Sequence, residues 1–320
     1  MKNNKIQIVR GIAIIVVVCI HCLPLGIAQV YVRPFLNFGV ALFLFLSGYL
    51  TKKGHFNITN RIKKVLIPYF IWSIIYTLEA DFTNLNNVPI DIIKNLITTY
   101  PSPMMYFIFV YCELTLLLPL ISKLAYSKYK YLGFTITPLE IVLVRLLPLI
   151  FDIQLNKYFI LLMRISFVPW FIFYYLGYLI GNRIISLNIK SSNLLIILVI
   201  TLAIQVAESY LYYCLGDSNP GTQLKLSTII SDIIIILLAN KFISSNSNVK
   251  LKWFVIYGDY SFGILFIHCL IISMLSKIPY YDSFMIFPLN AFIVLIISLL
   301  VVFAGNKLLG KWSKYIGFYS

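Results

Sequence analysis

Residues 5–26 read KIQIVRGIAIIVVVCIHCLPLG, and this stretch decides the fold. Apart from Gln7, Arg10 and His21 it is almost wholly apolar until Pro24 and Gly26 close it. At 1.5 Å per residue, about 20 such residues cross roughly 30 Å of hydrocarbon as a helix. The basic start MKNNKIQIV resembles the n-region of a signal peptide, but the apolar run outlasts signal-peptide length and no A-x-A-like cleavage site follows. The expectation is a retained first span. Arg10 and His21 are eleven residues apart, which is about three helical turns plus 20°, so one face carries both, about 16 Å apart along the axis. A helix of Ile, Val and Ala needs neither for packing, and ionisable groups inside a membrane are costly. The plainer alternative is a snorkelling Arg and a core His bonded to a neighbouring helix.

Working outward, the same kind of run recurs. Ten apolar stretches are expected to span: 6–28, 34–51, 65–80, 104–122, 132–151, 158–181, 193–213, 226–243, 254–276 and 285–305. The 320 residues are 60% hydrophobic and only 12% charged, with mean hydropathy +0.90. A soluble domain is typically about 25% charged. The reading is therefore all-α: a polytopic transmembrane helix bundle, one integral-membrane domain over 1–320, with no internal repeat. The fifth stretch is the weakest, because Pro138, Glu140, Arg145 and Pro148 interrupt it.

The net charge of +15 does not indicate a nucleic-acid partner, because the cations sit in short clusters between apolar runs. With the N-terminus inside, 18 of the 26 Lys and Arg fall in cytoplasmic segments and five, Arg33, Lys94, Lys157, Lys225 and Lys277, fall outside. Arg10, Arg145 and Arg164 lie within or at the edges of spans. That asymmetry follows the positive-inside rule and sets both termini in the cytoplasm. The longest outside loop is 81–103, with Asp81, Asn84, Asn86, Asn87 and Asp91. Cys19, Cys22, Cys112, Cys214 and Cys269 form no metal-like or disulfide pattern, and no metal is expected.

Further candidates lie in or near the spans. His268 ends an apolar run, and a core hydrogen bond is its plain reading. His55 falls in a basic loop. Ser47 with Gly48 suits close helix packing, and Ser47 is also a candidate nucleophile. Glu113, Glu140, Arg145, Glu208 and Asp232 are second-tier candidates; Glu140 and Arg145, five apart, do not share a helix face well and are expected to pair across helices. Trp170, Tyr174 and Tyr178 would by default belong to an interfacial belt.

Several segments together carry a family resemblance. Arg10-Gly11 with ten residues between Arg10 and His21, then FLFLSGYL (43–50), Arg61-Ile62-Lys63-Lys64 leading to Leu66-Ile67-Pro68-Tyr69, WFIFYYLGYLIG (170–181) and GDYSFGILFIH (258–268) follow one another in the order of the membrane acyltransferase-3 family, which the chain resembles over almost its whole length. The resemblance implies a multi-span enzyme that moves an acyl group, usually acetyl from cytoplasmic acetyl-CoA, onto an extracytoplasmic or lipid-linked glycan. Its Arg-x10-His motif falls on Arg10 and His21. Its Arg-x-x-Arg motif falls on Arg61 and Lys64, where lysine keeps the charge but loses the planar fork that grips phosphate.

The chemistry implied is O-acetyl transfer to a cell-surface polysaccharide in a bacterial cell membrane. Coenzyme A carries phosphates, so its docking site needs cations, and Arg61, Lys63, Lys64 and Arg10 are the candidates. A hydroxyl acceptor needs a base with a pKa near 7, which suits His21. His21 either deprotonates the acceptor or carries the acyl group itself. A transporter or flippase for a glycan-lipid or small solute is the alternative, because buried ionisable residues also line transport paths.

Overall fold

A computed structural model describes residues 3–80, 88–100, 102–246, 249–281 and 286–319, and among these there is no strand. Asp81, Asn84, Asn86 and Asn87 of the expected outside loop lie outside the described residues. The helices run α1 Asn4–Cys22, α2 Ile27–Tyr31, α3 Phe38–Leu50, α4 Ile58–Ala80, α5 Val88–Thr98, α6 Tyr106–Leu116, α7 Leu118–Ala125, α8 Ile136–Ile141, α9 Leu147–Ile150, α10 Lys157–Ile165, α11 Phe171–Gly181, α12 Ser191–Cys214, α13 Leu226–Ser244, α14 Lys252–Asp259, α15 Ser261–Ser276 and α16 Leu289–Leu309.

Six helical stretches are long and apolar enough to cross a bilayer by length and composition, or nine if each of three bent pairs is one span. The pairs are α6 with α7, bent by 60°, α10 with Val168–Gly181, by 42°, and α14 with α15, by 79°. Pro119 and Pro169 stand at the first two breaks, where each removes a helix N–H. The one expected stretch outside these nine, 65–80, is present as the latter part of α4. Every 18-residue window of α4 carries three of Arg61, Lys63, Lys64 and Glu79, which is what separates it from the others.

α1 begins where the Asn3 side chain accepts from Lys5 N–H at 3.0 Å and Ile6 N–H at 3.4 Å, a side-chain cap on amides that have no partner within the helix. It is the central helix, packed on α3, α13, α14, α15 and α16. By contrast, α12 and α16 turn Ile196, Val199, Ile200, Phe292, Leu300 and Phe303 outward as the apolar periphery a bilayer would cover.

Two helix crossings are closer than side chains normally allow. A Cβ on Gly48 of α3 would lie 2.1 Å from the Tyr174 carbonyl oxygen of α11, and one on Gly177 would lie 2.1 Å from that of Phe45. A Cβ on Gly11 would stand 2.0 Å from the Phe254 carbonyl, and one on Gly258 1.9 Å from that of Gln7, so α1 and α14 are in the same relation. Small residues that let backbones touch are what hold helices together in lipid, where no hydrophobic drive exists between them.

The loops meet as the alternation of spans requires. Lys5 Nζ reaches Ser245 Oγ at 3.0 Å, Lys52 Nζ reaches the Gly181 carbonyl, and Lys53 N–H donates to Asn182 Oδ1 at 3.0 Å. At the other end Arg33 meets Asn219, Arg145 meets Asp217, and Arg164 meets the Thr98 carbonyl. Lys225, expected in an outside loop, is fully buried against Ser209 and the Gln205 carbonyl. Burial lowers its ammonium to about 8, with Glu208 acting in the opposite direction. It anchors the loop that carries Asp217 and Asn219.

Candidate active site

One cavity of about 990 Å³ runs through the bundle, and its wall includes Arg10 and His21 of α1, Ser47 of α3, and Arg61 and Lys64 of α4. Its size sits at the upper end of the roughly 300–1,000 Å³ usual for small-molecule sites. A second cavity of about 460 Å³ lies against it, bordered by Leu25, Gly26, Gln29 and Pro220. Five residues, Ile20, His21, Arg33, Asp217 and Asn219, border both. His21 is thus exposed although it sits inside the bundle, because the surface it exposes faces these two spaces.

At the end that Arg61 and Lys64 share, Arg61 is held in place from two sides. Its Nη2 donates to Thr51 Oγ1 at 2.8 Å and its Nε donates to Tyr111 OH at 3.3 Å. Thr51 in turn donates to the Ser47 carbonyl at 2.8 Å and lies 3.3 Å from Tyr174 OH. Arg10 looks into the same space with Tyr111 and Tyr319. Burial pushes the Tyr319 phenol above its ordinary value, and the neighbouring Arg10 charge opposes that shift.

His268 does not border the cavity; it is fully buried behind His21, their ring centroids 5.1 Å apart. Its Nδ1 is 2.9 Å from the Ile264 carbonyl, an acceptor, so Nδ1 carries the proton and Nε2 presents a lone pair. Cys269 Sγ lies 3.3 Å from that Nε2. The donor atoms of His21, His268 and Cys269 fall within 4.8 Å of one another, and among the described residues these three side chains form a group that could hold a soft cation.

The remaining expected residues are placed apart. Lys63 is exposed on α4 and absent from the wall. Glu113 is also absent from it; its Oε2 accepts the Phe167 N–H at 2.6 Å and so ties α6 to the break before α11.

The family model for the acyltransferase domain matches residues 3–306. The chain belongs to the acyltransferase-3 family. No curated protein and no solved structure gives a match. The matched range of this acyltransferase-3 domain includes Arg10, His21, Arg61 and Lys64.

The sequence reading of this acyltransferase missed part of the wall. Glu140 and Arg145 both line the cavity despite their spacing. Residues Val142–Leu146 form a π-turn, in which the Leu147 N–H donates to the Val142 carbonyl five residues back. The wider turn brings positions five apart to one side. The expected cross-element pairing holds for Arg145, which meets Asp217. Trp170, Tyr174 and Tyr178 form no belt. All three are buried; Trp170 is stacked on Tyr106 with centroids 5.6 Å apart and lines the cavity. The helix α11 is enclosed on every side, so aromatic residues near its ends meet protein rather than headgroups. In the sequence Arg33 stands only as a topology charge, and nothing there singles out Asp217 or Asn219.

Proposed function

We propose that this membrane acyltransferase is an O-acetyltransferase that takes acetyl from acetyl-CoA on the side of Arg61 and Lys64 and places it on a glycan hydroxyl presented from the other. The observation that carries the reading is the position of His21, which borders both cavities at once. A thioester and an alcohol entering from opposite ends would meet at this imidazole.

Arg61, held by Thr51 and Tyr111, and Lys64 would take the phosphates of the donor, with Arg10 nearer the centre. Tyr111 and Phe107 offer faces for the adenine. The pantetheine arm would then lie along Val17, Val40, Phe43 and Leu46, which are apolar and line the route towards His21. An imidazole nitrogen takes the acceptor's hydroxyl proton as its oxygen forms a bond to the thioester carbonyl carbon. The carbon–sulfur bond breaks, the imidazolium returns the proton to the departing thiolate, and the products are the acetyl ester and free coenzyme A. His268 packs behind His21 with ring centroids 5.1 Å apart and so helps to hold that ring towards the two cavities.

The test is direct. Membranes containing the chain, given acetyl-CoA labelled in the acetyl group, should transfer label to a glycan or glycolipid fraction from which mild alkali releases it as acetate. Label no higher than in membranes without the chain overturns the reading.

A further inference from the structure

At the end of the larger cavity away from Arg61 and Lys64, cations outnumber their partners. Arg33, Arg145 and Arg164 all line it there. Arg33 and Arg145 converge on one residue: Arg33 Nη1 donates to Asn219 Oδ1 at 2.7 Å, and Arg145 Nη2 donates to the Asn219 carbonyl at 3.2 Å. Arg145 is neutralised by Asp217. Among the described residues no carboxylate pairs with Arg33, whose other partner is the Gln29 side-chain oxygen at 2.8 Å. Arg164 also has only neutral partners, the Thr98 carbonyl at 2.9 Å and Thr99 Oγ1 at 3.4 Å.

Arg33 and Arg164 thus face the cavity with neutral partners alone, and guanidiniums placed so are stabilised by an anion. The polar atoms beside them point the same way. Arg33 Nε, Arg145 Nε, Glu140 Oε2 and Trp170 Nε1 are buried without a partner, and all four residues line this cavity. Buried polar atoms are nearly always satisfied, so four orphans in residues of one wall mark it as more polar than its protein partners satisfy. Three of them are donors and one is an acceptor. That set suits a charged sugar: an anionic group for the guanidiniums and hydroxyls for Glu140.

Resting on the acetyltransferase reading, we propose that this end of the cavity binds the acceptor through an anionic group, a phosphate or a carboxylate, held by Arg33 beside the Arg145–Asp217 pair. Arg33 also borders the smaller cavity together with His21. The anion would therefore sit close to the hydroxyl that receives the acetyl group, and Arg33 would select acceptors by charge.

The experiment reads the product first. Labelled product from wild-type membranes is passed over an anion-exchange resin, and it should bind at low salt and elute as salt rises. Mild acid then cleaves sugar–diphosphate links and spares uronic carboxylates. Label that afterwards flows through identifies a phosphate; label still retained identifies a carboxylate. In parallel, Arg33→Gln should raise the KM for the acceptor fraction extracted from the host membranes by roughly 10- to 150-fold, the effect of losing a charged hydrogen bond. Arg33→Lys should recover part of this, and the KM for acetyl-CoA should not move. A neutral product, or an unchanged acceptor KM in Arg33→Gln, overturns the anion site while leaving acetyl transfer in place. Wild-type membranes that transfer no label at all remove the acetyltransferase reading and this one with it.

Discussion

His21→Ala is expected to cut acetyl transfer by roughly 10²- to 10⁴-fold, the range that a positioned general base contributes. The effect should appear in kcat, with the KM for acetyl-CoA kept, because the residues proposed to hold the donor phosphates, Arg61 and Lys64, lie towards the other end of the cavity. The base function needs an unprotonated ring nitrogen on an open surface, and His21 meets that need where His268 does not: His21 is exposed to two cavities, and His268 is fully buried. His21→Gln keeps the size and a hydrogen-bonding amide but offers no basic nitrogen, so it should fail as His21→Ala does. Both variants should accumulate normally, since the side chain faces open space and its removal leaves no new packing void. Transfer at the wild-type rate by either variant, measured with labelled acetyl-CoA at matched protein levels, would remove the imidazole from the mechanism.

Gly177→Leu is the second large effect, and it acts on folding. Even the first carbon of a side chain at Gly177 would lie 2.1 Å from the Phe45 carbonyl oxygen and 2.9 Å from its carbon. The obstacle is backbone, which cannot rotate away as a side-chain tip would. Overpacking typically costs about 1–3 kcal/mol where neighbours can shift. Here α3 and α11 would have to part along a crossing that also includes Gly48 and Gly181. Separating them would pull Thr51 from Tyr174 and loosen Arg61, which Thr51 orients. The expected result is loss of the monodisperse peak in detergent size-exclusion chromatography, with little protein surviving in the membrane. A Gly177→Leu protein that elutes and transfers acetyl like wild type would show that the two helices do not touch there.

Periodicity and charge carried much of this fold. Apolar runs separated by basic clusters marked the helices, and the eleven-residue interval placed Arg10 and His21 on one wall because α1 is a regular helix from Asn4 to Cys22. Where the backbone leaves that regularity, spacing misled. The π-turn at Val142–Leu146 realigned Glu140 with Arg145, and no pattern of residue types announces a fifth residue in a turn. Lys63 and Lys64 are neighbours in sequence, but a helix sends them about 100° apart, so only Lys64 reaches the cavity. The far end of the site was the least legible part. Arg33, Asp217 and Asn219 come from segments more than 180 residues apart and meet only through tertiary packing.

The layer formed by Ile20, His21, Arg33, Asp217 and Asn219 separates the two cavities by little more than the thickness of its own side chains. A bilayer ordinarily insulates with about 30 Å of hydrocarbon. At this point the protein has thinned that insulation to a diaphragm, across which the proposed transfer would move an acetyl group by changing its bonding partner while neither donor nor acceptor changes sides. The same thinness makes the diaphragm the natural place for protons to leak and for water to intercept the thioester, so its seal and its chemistry are properties of the same few side chains.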